Sequence, residues 1–355
     1  MALNGRKNRA RPAAALVAAL CLAAGTPGCN WKAAVIEAAA GIALGVEHGT
    51  LFYTFDMLAR PGEKADLVAR VQYAQEMKPV EDVAVEFRLG SALLGRVATD
   101  DDGYARLAWA APGAGDHDVA VKIVAVPDEK YDEMLKVSPA SLLVSVRPSA
   151  TRFVVIDLDH TVVASSFVHV LADDAKPMDR AAESVKTIAK TYSVIYLTHR
   201  PDLLASKSKR WLSEHKFPRA PLLVSSLSEA FGDSGEFKTG RIKTLRERFP
   251  GVAIGIGDKF SDAEAYVANG MAAYLIPDYD RDEDDPKDLR KLAKKIRDLD
   301  PKIHVVDTWQ EVLAGLFKGQ AFPTAAYAAR LEARADTLQR QRDRKKDDDD
   351  DDDDD

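Results

Sequence analysis

The chain has 355 residues, 46% of them hydrophobic and 30% charged, which excludes a disordered or fibrous protein and predicts a soluble globular protein with two or three domains. Its net charge of −7 comes from a run of nine aspartates at residues 347–355, without which the remainder carries +2. Because this remainder is close to neutral, the composition gives no indication of nucleic-acid binding.

The first 29 residues have the pattern of an export signal. Basic residues are followed by a twelve-residue apolar stretch at positions 13–24, which is too short to cross a bilayer. The stretch leads to Gly28-Cys29, and a small residue before a cysteine resembles the lipobox of bacterial lipoproteins. This resemblance implies that Cys29 is lipidated and that the protein is an exported, membrane-anchored lipoprotein facing the periplasm or the cell exterior. Ordinary signal cleavage near Ala24 is the alternative.

Residues 30–48 are rich in alanine and predict a linker or a short helix. Residues 49–148 then contain short segments in which apolar and polar residues alternate, separated by turn clusters, and this pattern predicts an antiparallel β-sandwich. The alternating segments are 67–73, 83–89, 105–109 and 119–124. The region resembles bacterial immunoglobulin-like modules and is expected to act as a spacer or adaptor. The acidic run 100–102 predicts a hairpin tip, with a calcium site as the alternative.

Residues 149–318 alternate between predicted strands and predicted helices. The strands are expected at 153–156, 194–197, 222–224, 252–256, 272–276 and 303–306, and helices at 178–191, 202–215 and 239–248. Such alternation predicts a parallel, Rossmann-like α/β sheet that is covered by helices on both faces.

Polar side chains stand where several of these strands end. Asp157 and Asp159 follow the first strand, Thr198 follows the second, and Asp258 follows a later one. In parallel sheets, ligands bind beyond the carboxyl ends of the strands, so we expect these residues to form a site. Asp157 and Asp159 point the same way, and their repulsion calls for a cation or a proton between them.

Four short motifs, in order, resemble those of the haloacid dehalogenase superfamily of phosphotransferases. Asp157-Leu158-Asp159-His160-Thr161 resembles DxDx[T/V], Thr198 the hydroxyl at a strand end, Lys238 the lysine that opens a helix, and Gly257-Asp258 through Asp262 the GDxxxD motif. A single acidic pair would be weak, but all four motifs at the expected ends of their elements are specific.

The superfamily resemblance implies a phosphomonoester hydrolase that works through an aspartyl-phosphate intermediate. Asp157 would attack phosphorus, and Asp159 would protonate the leaving alcohol and later activate water. Thr198 would donate a hydrogen bond to phosphoryl oxygens, and Lys238 would offset their charge.

The same resemblance implies Mg²⁺ as the cofactor. Its ligands would be Asp157, the backbone carbonyl of Asp159, and Asp258, while Asp262 would orient these groups.

A closer resemblance covers about residues 151–310. The stretches 196–201 and 210–218 resemble the LNS2 region, which lipin phosphatidate phosphatases share with the larger phosphatidylinositol-transfer proteins. This implies phosphatidate or a related lipid phosphate as the substrate. The transfer proteins lack the nucleophilic aspartate, whereas Asp157 is present here, and His160 stands where lipins have glycine.

Short connections predict that the domain has no cap. About seventeen residues separate Thr161 from the next predicted helix, and no large insertion lies between Lys238 and Asp258. The predicted site is therefore open, which suits a large or membrane-embedded phosphoester. The tail, residues 319–355, is expected to be a solvated helix that ends in disordered aspartates.

These expectations combine into an exported, lipid-anchored, Mg²⁺-dependent phosphatase whose partners are a phosphorylated, lipidic substrate and the membrane. Two alternatives stay open. One is a periplasmic phosphatase for soluble nucleotide, sugar or protein phosphoesters, and the other is a non-catalytic sensor of lipid phosphates. The intact pair Asp157 and Asp159 favours catalysis over sensing.

Overall fold

The structure is a computed structural model that describes most of the chain. The described residues are 46–74, 77–165, 175–279 and 285–351. The predicted export signal, Cys29 and the Ala-rich stretch up to residue 45 lie outside them. Among the described residues, no helix is both long enough and apolar enough to span a membrane.

The first part of the described chain, the β domain, folds into two sheets. Its strands are β1 (Thr50–Thr54), β2 (Met57–Ala59), β3 (Lys64–Tyr73), β4 (Lys78–Pro79), β5 (Ala84–Leu89), β6 (Ala92–Ala98), β7 (Tyr104–Ala110), β8 (Gly115–Ala125) and β9 (Ala140–Val146). In one sheet β3 pairs with β1, β4 and β7, and the other has the order β2-β9-β8-β5-β6. All pairs are antiparallel except β2 and β9. Leu67 of one sheet and Phe87 of the other lie in one hydrophobic cluster, so the sheets share a core.

The strands predicted from alternation correspond to β3, β5, β7 and β8. Strand β1 was not predicted because all of its residues are buried, which leaves no polar alternation. The prediction of a hairpin tip at the acidic run 100–102 is wrong, because the run joins β6 to β7 and these strands belong to different sheets. Within this turn, Asp100 Oδ1 accepts the N–H of Asp102 (3.1 Å) and of Tyr104 (2.8 Å).

The second part, the α/β domain, is built around a six-stranded sheet. Its strands are β10 (Phe153–Ile156), β11 (Ser193–Pro201), β12 (Leu222–Ser225), β13 (Val252–Gly257), β14 (Ala272–Leu275) and β15 (Ile303–Val305). Its helices are α1 (Ala181–Ile188), α2 (Ala205–Glu214), α3 (Ser234–Arg248), α4 (Phe260–Ala268), α5 (Pro286–Arg297), α6 (Trp309–Lys318) and α7 (Thr324–Asp351). The strand order is β12-β11-β10-β13-β14-β15, and every pair is parallel. The predicted parallel α/β sheet is confirmed.

Strand β10 lies in the middle of this sheet and is buried on both faces. Phe153 and Val155 belong to one hydrophobic cluster, and Val154 and Ile156 belong to another. Residues of α3, α4, α5 and α7 complete the first cluster, and residues of α1, α2 and α6 complete the second. The strand therefore ends, at Asp157, in the centre of a rigid layer.

Helix α3 begins earlier than the sequence predicted. Asp233 caps it by accepting the N–H of Glu236 at 2.8 Å, so that the helix starts at Ser234 rather than at residue 239. Lys238 consequently lies in the second turn of the helix and does not open it.

The tail is helical as predicted, but its helix α7 packs against the α/β domain and is not solvated on all sides. Leu331 and Ala335 are buried in the core of the α/β domain, and Glu332 pairs with Arg297 of α5 at 2.6 Å. The helix continues to Asp351 and thus includes the first residues of the aspartate run. A helix that is already formed by packing extends at little cost, because nucleation is the expensive step.

Buried contacts join the two domains. The carboxylate of Asp56, which is 7% exposed, accepts hydrogen bonds from Leu143 N (2.8 Å), Leu222 N (3.1 Å) and Lys209 Nζ (2.9 Å). Leu58 of β2 lies in a hydrophobic cluster of the α/β domain. The β domain is therefore packed directly against the α/β domain.

A second group of contacts lies at the carboxyl-terminal end of α3. Arg248 Nη2 donates to the carbonyl of Leu58 (2.8 Å) and pairs with Glu63 of the β domain (2.9 Å). This ion pair is partly exposed, which limits its contribution to stability.

Asp202 is a third, fully buried contact at this boundary. It begins a short 3₁₀ helix, Asp202–Leu204, and its Oδ1 accepts the N–H of Leu203 at 2.8 Å. Its Oδ2 has no hydrogen-bond partner within the described residues and lies 3.7 Å from Arg70 Nη1 of β3. Burial raises the pKa of Asp202 to about 6, in spite of the positive charge of Arg70.

We expect Asp202→Asn to raise the free energy of unfolding near pH 8 by roughly 1–3 kcal/mol, because the amide brings no charge into the interface. The pKa of Asp202 is higher in the folded chain than in the unfolded chain, so the folded chain binds the proton more strongly. The free energy of unfolding of the wild type therefore falls as the pH rises from about 4 to about 6. The gain from asparagine should therefore be complete above pH ~6 and vanish below pH ~4. Urea denaturation across this range measures it. A loss of stability at high pH would contradict the cost assigned to this charge.

Candidate active site at the carboxyl edge of the parallel sheet

The site lies where three neighbouring strands end. Asp157 follows β10, and Asp258 follows β13, which pairs with β10. Thr198 lies near the end of β11, the other neighbour of β10, with its side chain 1% exposed. Since all three strands are parallel, their carboxyl ends meet at one edge, as the sequence predicted.

Three buried carboxylates form the centre of the site. One oxygen each from Asp157, Asp258 and Asp262 lies within 4.8 Å of the others. Asp262 comes from the first turn of α4, where a negative charge is favoured by the helix dipole. A Cβ on Gly257 would lie 2.8 Å from Asp262 Oδ2, so the glycine before Asp258 is required for this close approach.

Lys238 bridges two members of the cluster. Its Nζ lies 2.9 Å from Asp157 Oδ1 and 2.7 Å from Asp262 Oδ2, and its side chain is 1% exposed. Burial by itself would lower the pKa of Lys238, but the charges of Asp157 and Asp262 outweigh it and raise the pKa. The lysine is therefore a fixed positive charge.

One lysine does not balance three buried carboxylates. Burial, and then the charges of Asp157 and Asp262, raise the pKa of Asp258 to about 9, so this group holds a proton at neutral pH when no cation is bound. Burial likewise raises the pKa of Asp262 to about 6. Asp262 Oδ1 has no hydrogen-bond partner among the described residues. Excess negative charge and unused carboxylate oxygens fit a hard divalent cation such as Mg²⁺.

Asp159 lies outside the three-carboxylate cluster. Both of its oxygens are held by Arg200, with Nε at 2.9 Å from Oδ2 and Nη2 at 2.7 Å from Oδ1. Arg200 also donates from Nη1 to Ser208 Oγ at 2.9 Å and is 3% exposed. This two-fold pairing fixes the orientation of the carboxylate.

Arg200 was not among the predicted site residues, although its sequence position gave an indication of its role. Thr198 and Arg200 are two residues apart on β11, so their side chains emerge on the same side of the strand. An arginine in a buried strand needs an acidic partner, and Asp159, which was predicted to lie at the same edge of the sheet, is that partner.

A second missed residue supports the first motif from behind. Trp309, at the start of α6, donates from Nε1 to the carbonyl of Thr161 at 2.9 Å, and it is buried. Thr161 Oγ1 in turn donates to Asp258 Oδ1 at 3.5 Å, which is a long hydrogen bond. The loop after β10 is thus tied to the end of β13.

The two histidines beside the motifs have protein partners. His199 Nε2 is 2.8 Å from the carbonyl of Glu229, and His160 Nδ1 is 3.0 Å from Asp278 Oδ2. His160 has φ +52°, in the left-handed region that favours glycine. This geometry explains why a glycine at this position, as in the lipin pattern, is compatible with the same loop.

Comparison with known families identifies this part of the chain. Residues 154–276 match the model described as "PITM 1-3, LNS2 domain", which confirms the LNS2 resemblance for this segment. Membrane-associated phosphatidylinositol transfer protein 2 of Homo sapiens is 34% identical over 107 residues, which is 30% of this chain and 8% of the relative. The chain thus spans less than a tenth of the length of that relative.

Solved structures show weaker likenesses. A haloacid dehalogenase-like family hydrolase from Xanthomonas campestris is 13% identical, with a TM-score of 0.27, and the match covers 54% of this chain and 99% of that one. A chain of the Pnkp1/Rnl/Hen1 complex is 17% identical, with a TM-score of 0.33, over 38% of this chain and 49% of that one.

We expect saturating Mg²⁺ to raise the Tm of the wild-type protein by about 5 °C, because the cation relieves the repulsion among the buried carboxylates. Asp258→Asn should remove this rise but leave the Tm without Mg²⁺ near the wild-type value, since burial already keeps Asp258 neutral there. Asp278→Asn, an acidic residue outside the cluster, is the matched control. Thermal unfolding followed by circular dichroism decides the matter, and equal shifts in wild type and Asp258→Asn would contradict a metal site here.

Proposed function

We propose that the α/β domain is a phosphomonoester hydrolase in which Asp157 is the nucleophile. The observation that carries this proposal is the position of Asp157: a buried carboxylate at the end of the central strand, bonded to Lys238 and next to two further carboxylates. A nucleophile in this place is fixed by the sheet and needs no reorganisation before it attacks. The LNS2 match supports a phosphatase-type hydrolase.

The proposed reaction has two steps. In the first, an oxygen of Asp157 bonds to phosphorus while the bond from phosphorus to the leaving oxygen breaks, and Asp159 gives a proton to that oxygen. In the second, Asp159 takes a proton from water, which attacks phosphorus and releases inorganic phosphate and free Asp157. Lys238 and Thr198 stabilise the charge on the phosphoryl oxygens.

Arg200 adds a condition to the role of Asp159. Its guanidinium holds both oxygens of the carboxylate and so sets the orientation from which Asp159 can act. To protonate the leaving oxygen in the first step, the carboxyl group of Asp159 has to be aligned with that oxygen, and Arg200 provides this alignment.

The carboxylate cluster supports Mg²⁺ as the cofactor. Asp157, the backbone carbonyl of Asp159, and Asp258 would hold the ion, and Asp262 would orient them. Bound there, Mg²⁺ supplies positive charge to the phosphoryl group. Among the described residues, Lys238 is the cationic side chain that contacts Asp157.

A lipid phosphate, phosphatidate or a relative of it, is the proposed substrate. The LNS2 match supports this choice, as does the similarity to the human relative, a membrane-associated phosphatidylinositol transfer protein. Short connections also support it: α3 and β13 are separated by residues 249–251, and a 3₁₀ helix, Glu229–Phe231, is the secondary structure between β12 and α3. An open site admits a headgroup that stays in a membrane.

The remaining proposals concern location and the β domain. The signal-like segment and Cys29 support an exported lipoprotein that faces the periplasm or the cell exterior. The two sheets with a common core support an immunoglobulin-like class for the β domain.

We expect Asp157→Asn to lower kcat on p-nitrophenyl phosphate by about 10³-fold or more, because the amide keeps the shape of the side chain but not its nucleophilic oxygen. Circular dichroism should show an intact fold, and Asp278→Asn is the control for a change of charge at the same edge of the sheet. Turnover by Asp157→Asn close to the wild-type rate would refute the covalent mechanism.

We also expect phosphatidate in mixed micelles to be hydrolysed faster than glycerol 3-phosphate or nucleotides, since an anchored, open site meets lipid phosphates at high effective concentration. Cys29→Ala should move the full-length protein from the membrane to the soluble fraction, with unchanged turnover of p-nitrophenyl phosphate. Ready hydrolysis of sugar phosphates and nucleotides, with phosphatidate untouched, would favour the soluble-substrate alternative. Binding of phosphatidate without turnover would favour the sensor.

A further inference from the structure

A short stretch of β11 connects the candidate active site with the β domain. Arg200 lies on the site side and holds both oxygens of Asp159. Two residues further along the chain, the buried carboxylate of Asp202 faces Arg70 of β3. Ser225 Oγ lies 3.0 Å from the carbonyl oxygens of both His199 and Arg200. The backbone between the two charged contacts is therefore short and held in place.

Arg70 is fixed within the β domain. Its Nε donates to the carbonyl of Asp102 (3.1 Å), and its Nη1 donates to the hydroxyl of Tyr53 (3.3 Å). Its guanidinium stacks on the ring of Tyr104 at 4.5 Å from the centroid. Contacts from three sides leave this side chain little freedom, so the positive charge stands at a defined point beside Asp202.

The carboxylate of Asp202 is buried with incomplete hydrogen bonding. The side chain is 1% exposed, and one of its oxygens accepts no hydrogen bond from the described residues. Burying such a charge costs stability, and an uncharged residue of similar size would remove that cost. A buried ion pair that does not stabilise the fold is better explained by what it holds in place.

We propose that Arg70 and Asp202 form a positioning pair, by which the β domain holds residues 198–202 so that Arg200 keeps Asp159 aligned with the substrate. This inference rests on the proposed function for its kinetic part. It makes the β domain part of the catalytic unit, where the sequence predicted a spacer or adaptor. Neither Arg70 nor Asp202 contacts the substrate in this proposal, and both act through Arg200.

The test compares two variants that each break an ion pair across the same domain boundary. Arg70→Gln breaks the pair with Asp202, and the matched control Glu63→Gln breaks the pair with Arg248, which lies at the far end of α3 from Lys238. Arg70→Gln should lower kcat on an alkyl phosphate about tenfold at unchanged KM, since a small misplacement of a catalytic group is costly. The loss should be smaller on p-nitrophenyl phosphate, whose leaving group needs little protonation. Glu63→Gln should leave both rates unchanged.

Two more variants separate positioning from a general loss of structure. Arg70→Lys keeps the charge and should retain most of kcat. Asp202→Asn should lower kcat about as much as Arg70→Gln does, although it stabilises the fold, and the double variant should lose no more than either single one. Additive losses, or equal effects of Arg70→Gln and Glu63→Gln, would overturn the proposal.

Amide hydrogen exchange provides a readout that does not need activity. Residues 199–204 should exchange faster in Arg70→Gln than in wild type or in Glu63→Gln. Unchanged exchange in Arg70→Gln would overturn the positioning pair whatever the kinetics show. If the wild-type protein turns over no phosphoester but exchange responds as expected, the proposed function fails and the pair stands.

Discussion

The structure of the α/β domain depends on negative charge that is buried at the end of one strand. Asp157, Asp258 and Asp262 converge around a single lysine, and each comes from a different element of the domain. Lys238, which enters from α3, offsets part of their mutual repulsion, and Gly257 leaves the space that Asp262 needs to approach closely. Elements that are far apart in the chain must therefore be placed accurately relative to one another at this point. Helices on both faces of a parallel sheet provide that accuracy, since the sheet is clamped by two hydrophobic cores.

The position of this cluster, at the carboxyl ends of the parallel strands, could be predicted from the sequence because the fold and the site depend on the same residues there. A buried strand followed by Asp157 is recognisable from local pattern, and parallel topology dictates where Asp258 must lie relative to it. What could not be predicted depends on contacts between segments distant in sequence. The pairing of Arg200 with Asp159 and the support of Thr161 by Trp309 both arise from packing, which no periodicity encodes. The helical start at Ser234 was missed for a local reason, since the capping role of Asp233 was not recognised.

Helix α7 and strand β1 were also predicted incompletely, because their burial depends on neighbouring elements. A helix rich in charged residues reads as solvated, yet α7 completes the core of the α/β domain through a narrow apolar stripe that includes Leu331 and Ala335. Strand β1 shows no alternation because both of its faces are covered. In each case the burial comes from a neighbour that the local sequence does not reveal. Tertiary context decides such segments, whereas propensity decides only the isolated ones.

Leu58 and Asp56 determine whether the α/β domain could be combined with a different amino-terminal domain. Leu58 of β2 fills part of the hydrophobic core of the α/β domain, and Asp56 accepts the backbone N–H of Leu222 in its edge strand β12. If an unrelated domain stood in place of the β domain, the α/β domain would have a cavity in its core and an unsatisfied backbone N–H at the edge of its sheet. Replacing either part by an unrelated domain would therefore cost stability, unless substitutions on the other side of the boundary filled the core and satisfied the amide.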